Sequence, residues 1–164
     1  MFYRLKVSSF RHAKHVGRDI KILVKDKKTG KYVGISSLSS DIRHCYDRDN
    51  FIGWEHKKKR LNNILNITTC VSIPPFSYNY NGGKLVTMLM FSKEVYDYYW
   101  KKYKNKLGGI TTFSLYGKSI QYDRLKRLKL IGYTNGFGSS HIPKNLYKCM
   151  IKYMDKENIG HKKY

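Results

Sequence analysis

The sequence predicts a single α/β domain, a mixed β-sheet flanked by helices, and three observations lead to this fold class. The chain has 164 residues, a length that usually forms one domain. Hydrophobic residues make up 41% of the chain and aromatic residues 15%, which is enough apolar surface for a folded core. Short β-rich runs alternate with amphipathic segments. That alternation is typical of a sheet covered by helices.

A β-hairpin and a crossing segment make up the predicted first half of the chain. Residues 20–26 and 31–38 are β-rich runs, and Gly30 between them supplies the positive φ of a tight turn. Residues 39–54 begin with a Ser-Ser-Asp cluster typical of a helix N-cap, and a short helical turn and an acidic loop at 47–50 are expected to follow. Residues 55–65 form a basic amphipathic segment. These last two segments are expected to cross the sheet.

Three further strands and two helices are predicted in the second half. The strands are runs of β-branched and apolar residues at 66–73, 110–117 and 128–134. Pro74-Pro75 terminates the first of them. Apolar residues at helical spacing predict one long helix over 85–106, ended by Gly108-Gly109, and a short helix follows at 119–128. This order of elements favours a mixed sheet.

Charge is the strongest functional signal in the sequence. The chain has 33 Lys and Arg residues against 11 Asp and Glu residues, a formal net charge of +22, and both halves are basic. Such self-repulsion disfavours a compact state unless a polyanion is usually nearby, so nucleic acid is the expected partner. An AT-rich genome, which raises Lys and Tyr generally, is the alternative explanation for part of this composition, but the charge asymmetry goes beyond it.

No membrane or metal function is indicated by the sequence. No apolar run reaches the ~18 residues of a membrane span, and the N-terminal residues lack the apolar core of a secretory signal, so an intracellular protein is expected. Cys45, Cys70 and Cys149 are widely spaced, which favours buried or free thiols over a disulfide framework or a zinc site. His12 and His15 match no standard zinc motif, and no metal site is predicted.

Several segments resemble one family of bacterial and phage domains. They are G-R-D-I-K-I-L-V-K-D at 17–26, G-K-Y-V-G-I-S-S-L-S-S-D at 30–41, Y-D-R-D-N-F-I-G-W at 46–54, T-T-F-S-L-Y-G at 111–117, Q-Y-D-R-L at 121–125 and G-Y-T-N-G-F-G at 132–138. The family is known from the A subunit of the Druantia antiphage system. The resemblance covers residues 11–140 of a single basic domain, 1–164, and residues 141–164 are expected to form a C-terminal helical extension.

The resemblance implies a role in phage biology or antiphage defence, in the cytoplasm of a bacterial host cell. More distantly, the layout is similar to GNAT acyltransferases and to Mom, a GNAT-related protein of phage Mu that modifies adenines in phage DNA. These similarities imply a GNAT-like fold, DNA as the nucleic acid, and a transferase that modifies DNA by acyl or group transfer. The alternative is a non-enzymatic DNA- or RNA-binding module that keeps the fold without catalysis.

A glycine pair marks the predicted cofactor site. The position of the GNAT acyl-CoA loop carries Asn81, Gly82, Gly83 and Lys84 in place of the usual Arg/Gln-x-x-Gly-x-Gly/Ala motif. Two glycines allow close backbone approach, and a helix N-terminus with Lys84 attracts phosphate. The resemblance implies acyl-CoA as the cofactor, whereas the altered motif favours the non-enzymatic alternative. A glycine-bearing helix start without a ligand is the structural alternative.

Acidic residues are scarce, which makes the cluster of Asp41, Asp47 and Asp49 beside Arg48 informative. In a site that faces nucleic acid, carboxylates serve as a base, as metal ligands or as partners of basic side chains. Asp49 is the predicted catalytic carboxylate. The alternative is a buried Arg48 paired with Asp47 or Asp49, which would hold the crossing segment to the sheet.

Hydroxyl side chains supply the other predicted catalytic residues, Tyr116, Ser119 and Tyr122. They lie at or after the end of the strand predicted at 110–117, and the crevice at the end of such strands is where ligands bind in open α/β sheets. We therefore expect them to share one cleft with Asp49. Similarity to GNAT enzymes implies a Tyr near this place as a general acid. The alternative is that hydroxyls bond to the backbone and the Tyr rings fill the core.

Three basic runs are predicted to contact phosphates without sequence preference. Their residues are Lys57, Lys58, Lys59, Arg60, Lys101, Lys102, Arg124, Lys126 and Arg127. Interleaved Tyr side chains offer stacking surfaces for bases. Trp54 and Trp100, in contrast, are expected in the core rather than on such a surface. A solvated lysine face is the alternative for each run.

Overall fold

A four-stranded mixed sheet organises the protein, whose computed structural model describes residues 2–8, 16–54, 60–77, 82–114, 117–133 and 144–157. The strands are β1 (Asp19–Lys25), β2 (Tyr32–Ser40), β3 (Ile64–Ser72) and β4 (Gly109–Thr112). They lie in the order β1-β2-β3-β4. The first two pairings are antiparallel and the third, between β3 and β4, is parallel. A mixed α/β fold is therefore confirmed.

The hairpin of β1 and β2 forms as the sequence predicts. Gly30 has a φ of 70°, the left-handed conformation that a side chain disfavours. The carboxylate of Asp26 accepts hydrogen bonds from the backbone amides of Lys28 and Thr29, at 3.2 and 2.9 Å. These bonds satisfy the backbone amides of the turn. The turn can therefore be predicted from residues that lie within a few positions of one another.

Five helices are described, together with a 3₁₀ turn at Leu61–Asn63 that leads into β3. They are α1 (Phe2–Val7), α2 (Tyr46–Ile52), α3 (Gly82–Leu89), α4 (Lys93–Tyr103) and α5 (Lys144–Lys156). The last of them occupies the region where a C-terminal helical extension is expected. Among the residues that the structure describes, no helix is both long enough and apolar enough to span a membrane.

The core lies between the sheet and helices α3 and α4. Val86, Met90 and Tyr99 are fully buried there against Leu38 and Leu65 of the sheet. Contact with β2 is close because its Gly34 lies beneath Val86. A Cβ atom on Gly34 would stand 2.1 Å from Val86 Cγ2, so a side chain there is sterically excluded.

One long helix over 85–106 is a wrong prediction, because the chain breaks this segment into α3 and α4. Met90 is fully buried, and its amide forms a turn bond to the Thr87 carbonyl at the end of α3. Ser92 then adopts an extended conformation and starts a new helix. That helix ends at Lys104, in a left-handed conformation, before the glycines expected to stop it. The turn at Met90 and the extended Ser92 thus separate the two helices.

Three other local predictions are also wrong. The acidic stretch at 47–50 lies inside α2, which begins after Cys45, whereas the first two residues of the expected N-cap cluster belong to β2. Residues 119–128 form turns rather than a helix, and 128–133 are irregular rather than a strand. Both segments belong to the stretch 117–133, which passes over the edge of the sheet and makes side-chain contacts instead of ladder bonds.

Candidate functional site

A cleft of about 180 Å³ lies beside β4, between α2 and the segment 117–133. Its walls combine hydroxyl, aromatic, acidic and basic side chains. They include Asp47, Thr111, Thr112, Phe113, Ser114, Lys118, Ser119, Tyr122, Arg124, Lys129 and Tyr133. The cleft is the place where the structure brings chemically capable side chains together.

The cleft exists because β4 is shorter than its neighbour. Pairing with β3 stops at Thr112, although β3 continues for five residues beyond that register, to Ser72. The turn segment occupies the vacant edge. Its Gln121 side-chain amide donates to the Cys70 carbonyl at 3.0 Å and to the Thr87 hydroxyl at 3.3 Å. The Gln121 side chain therefore bonds to β3 where a longer β4 would have paired, and it fixes this wall of the cleft.

The opposite wall is held by a buried ionic network around Arg48. Its guanidinium donates to Asp49 Oδ1 at 2.7 and 3.0 Å, and to Asp41 Oδ2 at 2.7 Å. The side chains of all three residues are at most 4% exposed. Burial alone would lower the pKa of Arg48, but the hydrogen bonds and charges of the two carboxylates raise it above its ordinary value. Arg48 stays charged, and the network stays intact.

This network ties α2 to the sheet. The Thr111 hydroxyl of β4 donates to Asp41 Oδ2 at 2.9 Å, while Arg48 also donates to the Ile42 carbonyl at 2.8 Å. The Trp54 ring lies 5.4 Å from the guanidinium carbon and covers it. The structure therefore agrees with the structural alternative for Arg48. The Asp49 carboxylate belongs to this network and does not line the cleft.

Ser119 and Tyr122 both line the cleft, whereas Tyr116 lies outside the described residues. Burial raises the pKa of the Tyr122 phenol, and the nearby Thr112 hydroxyl opposes this effect without cancelling it. The phenol is therefore protonated at neutral pH. The Ser119 carbonyl accepts hydrogen bonds from the backbone amides of Tyr122 and Asp123, at 3.0 and 2.9 Å. These bonds fix the turn that carries Tyr122.

Asp47 is the site residue that sequence reasoning did not select. It lines the cleft, and its carboxylate packs on Gly132 so closely that a Cβ there would meet Oδ2 at 2.3 Å. The helical geometry of α2 explains the difference from Asp49, because residues two apart on a helix point in nearly opposite directions. Treating 46–52 as helical would have separated the two carboxylates in advance.

Three of the predicted cofactor residues, Gly82, Gly83 and Lys84, form the start of α3 and are not part of the cleft lining. A Cβ on Gly82 would meet Ser72 Cβ at 2.6 Å, and one on Gly83 would meet the Gln121 side chain at 3.1 Å. Both glycines are thus explained by close packing of α3 on β3 and on the turn segment. Lys84 is half-buried in the first turn, and Asn81 lies outside the described residues.

Basic residues gather at the rim of the cleft. Arg124 was predicted, and Lys118 and Lys129 join it in the lining. Lys118 pairs with Asp123 at 3.7 Å, and the Lys129 ammonium lies 5.2 Å from the centre of the Phe51 ring. Of the other predicted residues in this segment, Lys126 and Arg127 are exposed, and Arg127 donates to a carbonyl at the α3–α4 junction at 3.3 Å.

The remaining basic residues lie elsewhere on the surface. Arg60 is exposed at the entry to β3, and Lys101 is exposed on α4. Lys102 donates to the Asp19 carbonyl of β1 at 2.9 Å, so this lysine also has a structural contact. Residues 57–59 lie outside the described part of the chain. The three basic runs therefore do not share a single element.

Neither tryptophan is fully buried. Trp54 is half-buried against Arg48, in keeping with a packing role. Trp100 is 51% exposed on α4, so its core assignment is wrong. Helix α4 instead buries Val95 and Tyr99, and Trp100 is offset from both around the helix.

The fold and the site together define a basic mixed α/β domain that carries a small cleft of mixed polar and aromatic character. A family model described as Druantia protein DruA matches residues 3–164. The chain is 35% identical over 157 residues to Druantia protein DruA of Escherichia coli strain UMEA 4076-1. The chain therefore belongs to the DruA family of the Druantia antiphage system, which confirms the prediction from its motifs.

The match with this relative is partial in length. It covers 84% of this chain and 39% of the Escherichia coli protein, so the chain spans well under half of the curated relative it matches. No solved structure matches the chain.

Proposed function

We propose that this chain acts in antiphage defence by binding nucleic acid, with the rim of the cleft contacting the phosphate backbone. The observation that carries the proposal is the placement of Lys118, Arg124 and Lys129 around one cleft in a chain of net charge +22. Clustered cations beside a concave site are the electrostatic footprint of a polyanion partner.

Burial of the acidic residues strengthens this proposal. Asp41 and Asp49 are two of the chain's 11 acidic residues, and both are enclosed around Arg48. Arg48 compensates one of these two negative charges, and both carboxylates are kept off the surface, where exposed lysines and arginines outnumber exposed acidic side chains. The Arg124 side chain forms no hydrogen bond or ion pair with other residues in the described ranges, and it is exposed at the rim. It is available to a phosphate.

Acyl-CoA does not fit the described part of the predicted cofactor segment. A Cβ on Gly82 would meet Ser72 and one on Gly83 would meet Gln121, so packing within the protein explains both glycines without a bound phosphate. The cleft itself, at about 180 Å³, is smaller than the 300 Å³ or more of a typical cofactor pocket. Both observations favour the binding module over an acyltransferase.

Group transfer is the second candidate function, and Tyr122 is the observation in its favour. A protonated phenol in a cleft can donate a proton to a leaving group, and Ser119 lies in the same lining. Tyr122→Phe is the test, because it removes one hydroxyl and almost no volume. Nucleoside analysis of cellular DNA should show a modification lost in this variant, while DNA affinity and stability are kept. An unchanged nucleoside profile with and without the protein would overturn group transfer.

Salt-dependent binding tests the main proposal. Anisotropy of a labelled duplex and of a single-stranded oligonucleotide should show affinity falling by orders of magnitude between ~50 and ~200 mM salt if six or more phosphates are contacted. The rim variant Lys118→Ala, Arg124→Ala and Lys129→Ala should bind at least ~10-fold more weakly, with a salt slope reduced by about one per lost contact.

A control variant of equal charge change makes this test specific. Lys21→Ala, Lys27→Ala and Lys28→Ala remove three charges from β1 and its turn, at the sheet edge opposite β4. This variant should bind more tightly than the rim variant. Equal losses in the two variants would contradict a site at the cleft, and a flat salt response would contradict phosphate binding altogether.

A further inference from the structure

We infer that the cleft receives one unpaired nucleobase that carries an exocyclic amino group. This inference rests on the proposed function and names the part of the nucleic acid that enters the cleft. It means that the protein binds single-stranded or locally opened strands in preference to an intact duplex.

Size is the first argument, because the volume of the cleft matches one ring system. The cleft measures about 180 Å³. A protein cavity of about 150 Å³ accommodates a benzene ring. The space beside β4 therefore suits a single base.

Aromatic side chains give the second argument. Phe113 and Tyr133 both line the cleft, although they are 41% and 68% exposed. Large apolar rings left in solvent beside cations are typical stacking platforms for unpaired bases. Lys129 lines the cleft, and its ammonium also lies over the exposed Phe51 ring of α2.

Asp47 gives the third argument and selects the kind of base. Its carboxylate lines the cleft, and it forms no ion pair with another residue in the described ranges. A carboxylate repels phosphate, so the group that meets it inside the cleft must be a hydrogen-bond donor. Cytosine, adenine and guanine each carry an exocyclic amino donor, whereas thymine has a carbonyl oxygen where cytosine has its amino group. Asp47 therefore favours these three bases over thymine.

Stacking in a duplex gives the last argument. A base can enter a recessed cleft only after it leaves its helix, and unstacking costs a few kcal/mol. The rim cations Lys118 and Arg124 can hold the flanking phosphates of a strand whose base has turned inward. A strand that is already unpaired avoids the unstacking cost, so it should bind more tightly.

Binding of short homopolymers tests this inference. Affinity is measured by anisotropy at ~100 mM salt for labelled oligo(dC), oligo(dA) and oligo(dT) of equal length and for a mixed-sequence duplex. We expect oligo(dC) or oligo(dA) to bind at least ~10-fold more tightly than oligo(dT) and than the duplex. Asp47→Asn should reduce the preference over oligo(dT) to within ~3-fold. The Asn amide has both a donor and an acceptor, so it can pair with the carbonyl oxygen of thymine as well as with an amino group.

A matched variant controls for the charge change. Asp97→Asn removes the same charge from the exposed face of α4, where Asp97 pairs with Lys93, and it should keep the base preference. If Asp47→Asn does not fold, Tyr133→Ser provides a second route, because Tyr133 is exposed and its loss removes a stacking platform. That variant should lose affinity for single strands at least ~5-fold and leave duplex affinity within ~2-fold.

The outcomes separate this inference from the function on which it rests. Equal salt-sensitive affinity for all three homopolymers and the duplex would overturn the base pocket and leave nucleic-acid binding standing. Absence of binding to any of them at low salt would overturn both. Identical base preferences in Asp47→Asn and Asp97→Asn would exclude Asp47 as the selecting group and overturn the assignment.

Discussion

The two walls of the cleft are built by opposite means. The α2 wall is anchored by Arg48, whose buried guanidinium satisfies two carboxylates and two backbone carbonyls. The wall formed by 117–133 has no helix or strand, and a few long side chains attach it to the sheet and to the α3–α4 junction. Regular structure and buried charge hold one wall, and isolated hydrogen bonds hold the other.

This difference predicts that one wall moves when a ligand binds and the other stays in place. Local opening requires the least free energy where buried contacts are few and the backbone lacks regular hydrogen bonds. The 117–133 wall meets that description, and it also carries the rim cations Lys118, Arg124 and Lys129. We therefore expect this wall to adjust around a ligand while α2 holds Asp47 in place.

Removal of Arg48 should give the largest effect. Arg48→Met leaves the carboxylates of Asp41 and Asp49 buried without their counter-ion, and breaking a buried pair in this way costs about 3–5 kcal/mol. Urea unfolding should show this loss, whereas Arg43→Met at an exposed position should change stability by less than ~0.5 kcal/mol. A loss below ~1 kcal/mol for Arg48→Met would remove the distinction between the two walls.

Removal of Gln121 should have a smaller and more local effect. Gln121→Leu deletes the donors to the Cys70 carbonyl and the Thr87 hydroxyl, at a cost of about 1–2 kcal/mol. Hydrogen exchange should accelerate in 117–133 and stay unchanged in α2. Lys126→Ala, which alters an exposed side chain of the same segment, is the control. Uniform acceleration across both walls would contradict their independence.

Alkaline pH should produce the smallest effect, through Cys70. Burial raises the pKa of this thiol above the ordinary value of 9.0, and hydrogen bonds from Thr87, Gln121 and Ser36 only partly oppose the rise. Between the unfolded and folded pKa values the unfolded thiol has lost its proton and the folded one has kept it. The unfolded state then binds fewer protons, so stability falls as pH rises above about 9.

Unfolding of the reduced protein at pH 8 and at pH 10.5 measures this effect. Cys70→Ala should show a smaller loss of stability across the same interval, because the variant lacks the thiol and retains every tyrosine. An identical loss in the two proteins would assign the alkaline sensitivity to other groups.

Local chemistry made half of the fold predictable. Gly30 and Asp26 encode a turn within a few residues, and β3 ends at Ser72, two residues before a proline pair that cannot continue a ladder. The net charge and the family motifs likewise need no tertiary information. These signals led correctly to a mixed α/β fold and to the DruA family.

The cleft was harder to predict because its determinants are distant in sequence. Gln121 bonds to Cys70 across 51 positions, and no local pattern marks a side chain that replaces a strand. Asp47 was missed for a different reason, since a short helix with charged residues has the composition of a loop. The buried Arg48 pairing was foreseen as an alternative, because scarce carboxylates beside an arginine admit few arrangements.

Gly34 of β2 affects the position of the 117–133 wall of the cleft, although it lies on the other side of the core. Its missing side chain lets Val86 sit directly on β2, which sets the height of α3 above the sheet. Thr87 is the next residue of that helix, and its hydroxyl accepts the Gln121 amide. An alanine at Gly34 would lift α3 and pull this attachment point with it. A single methyl group, placed two strands from the site, would therefore change the width of the cleft.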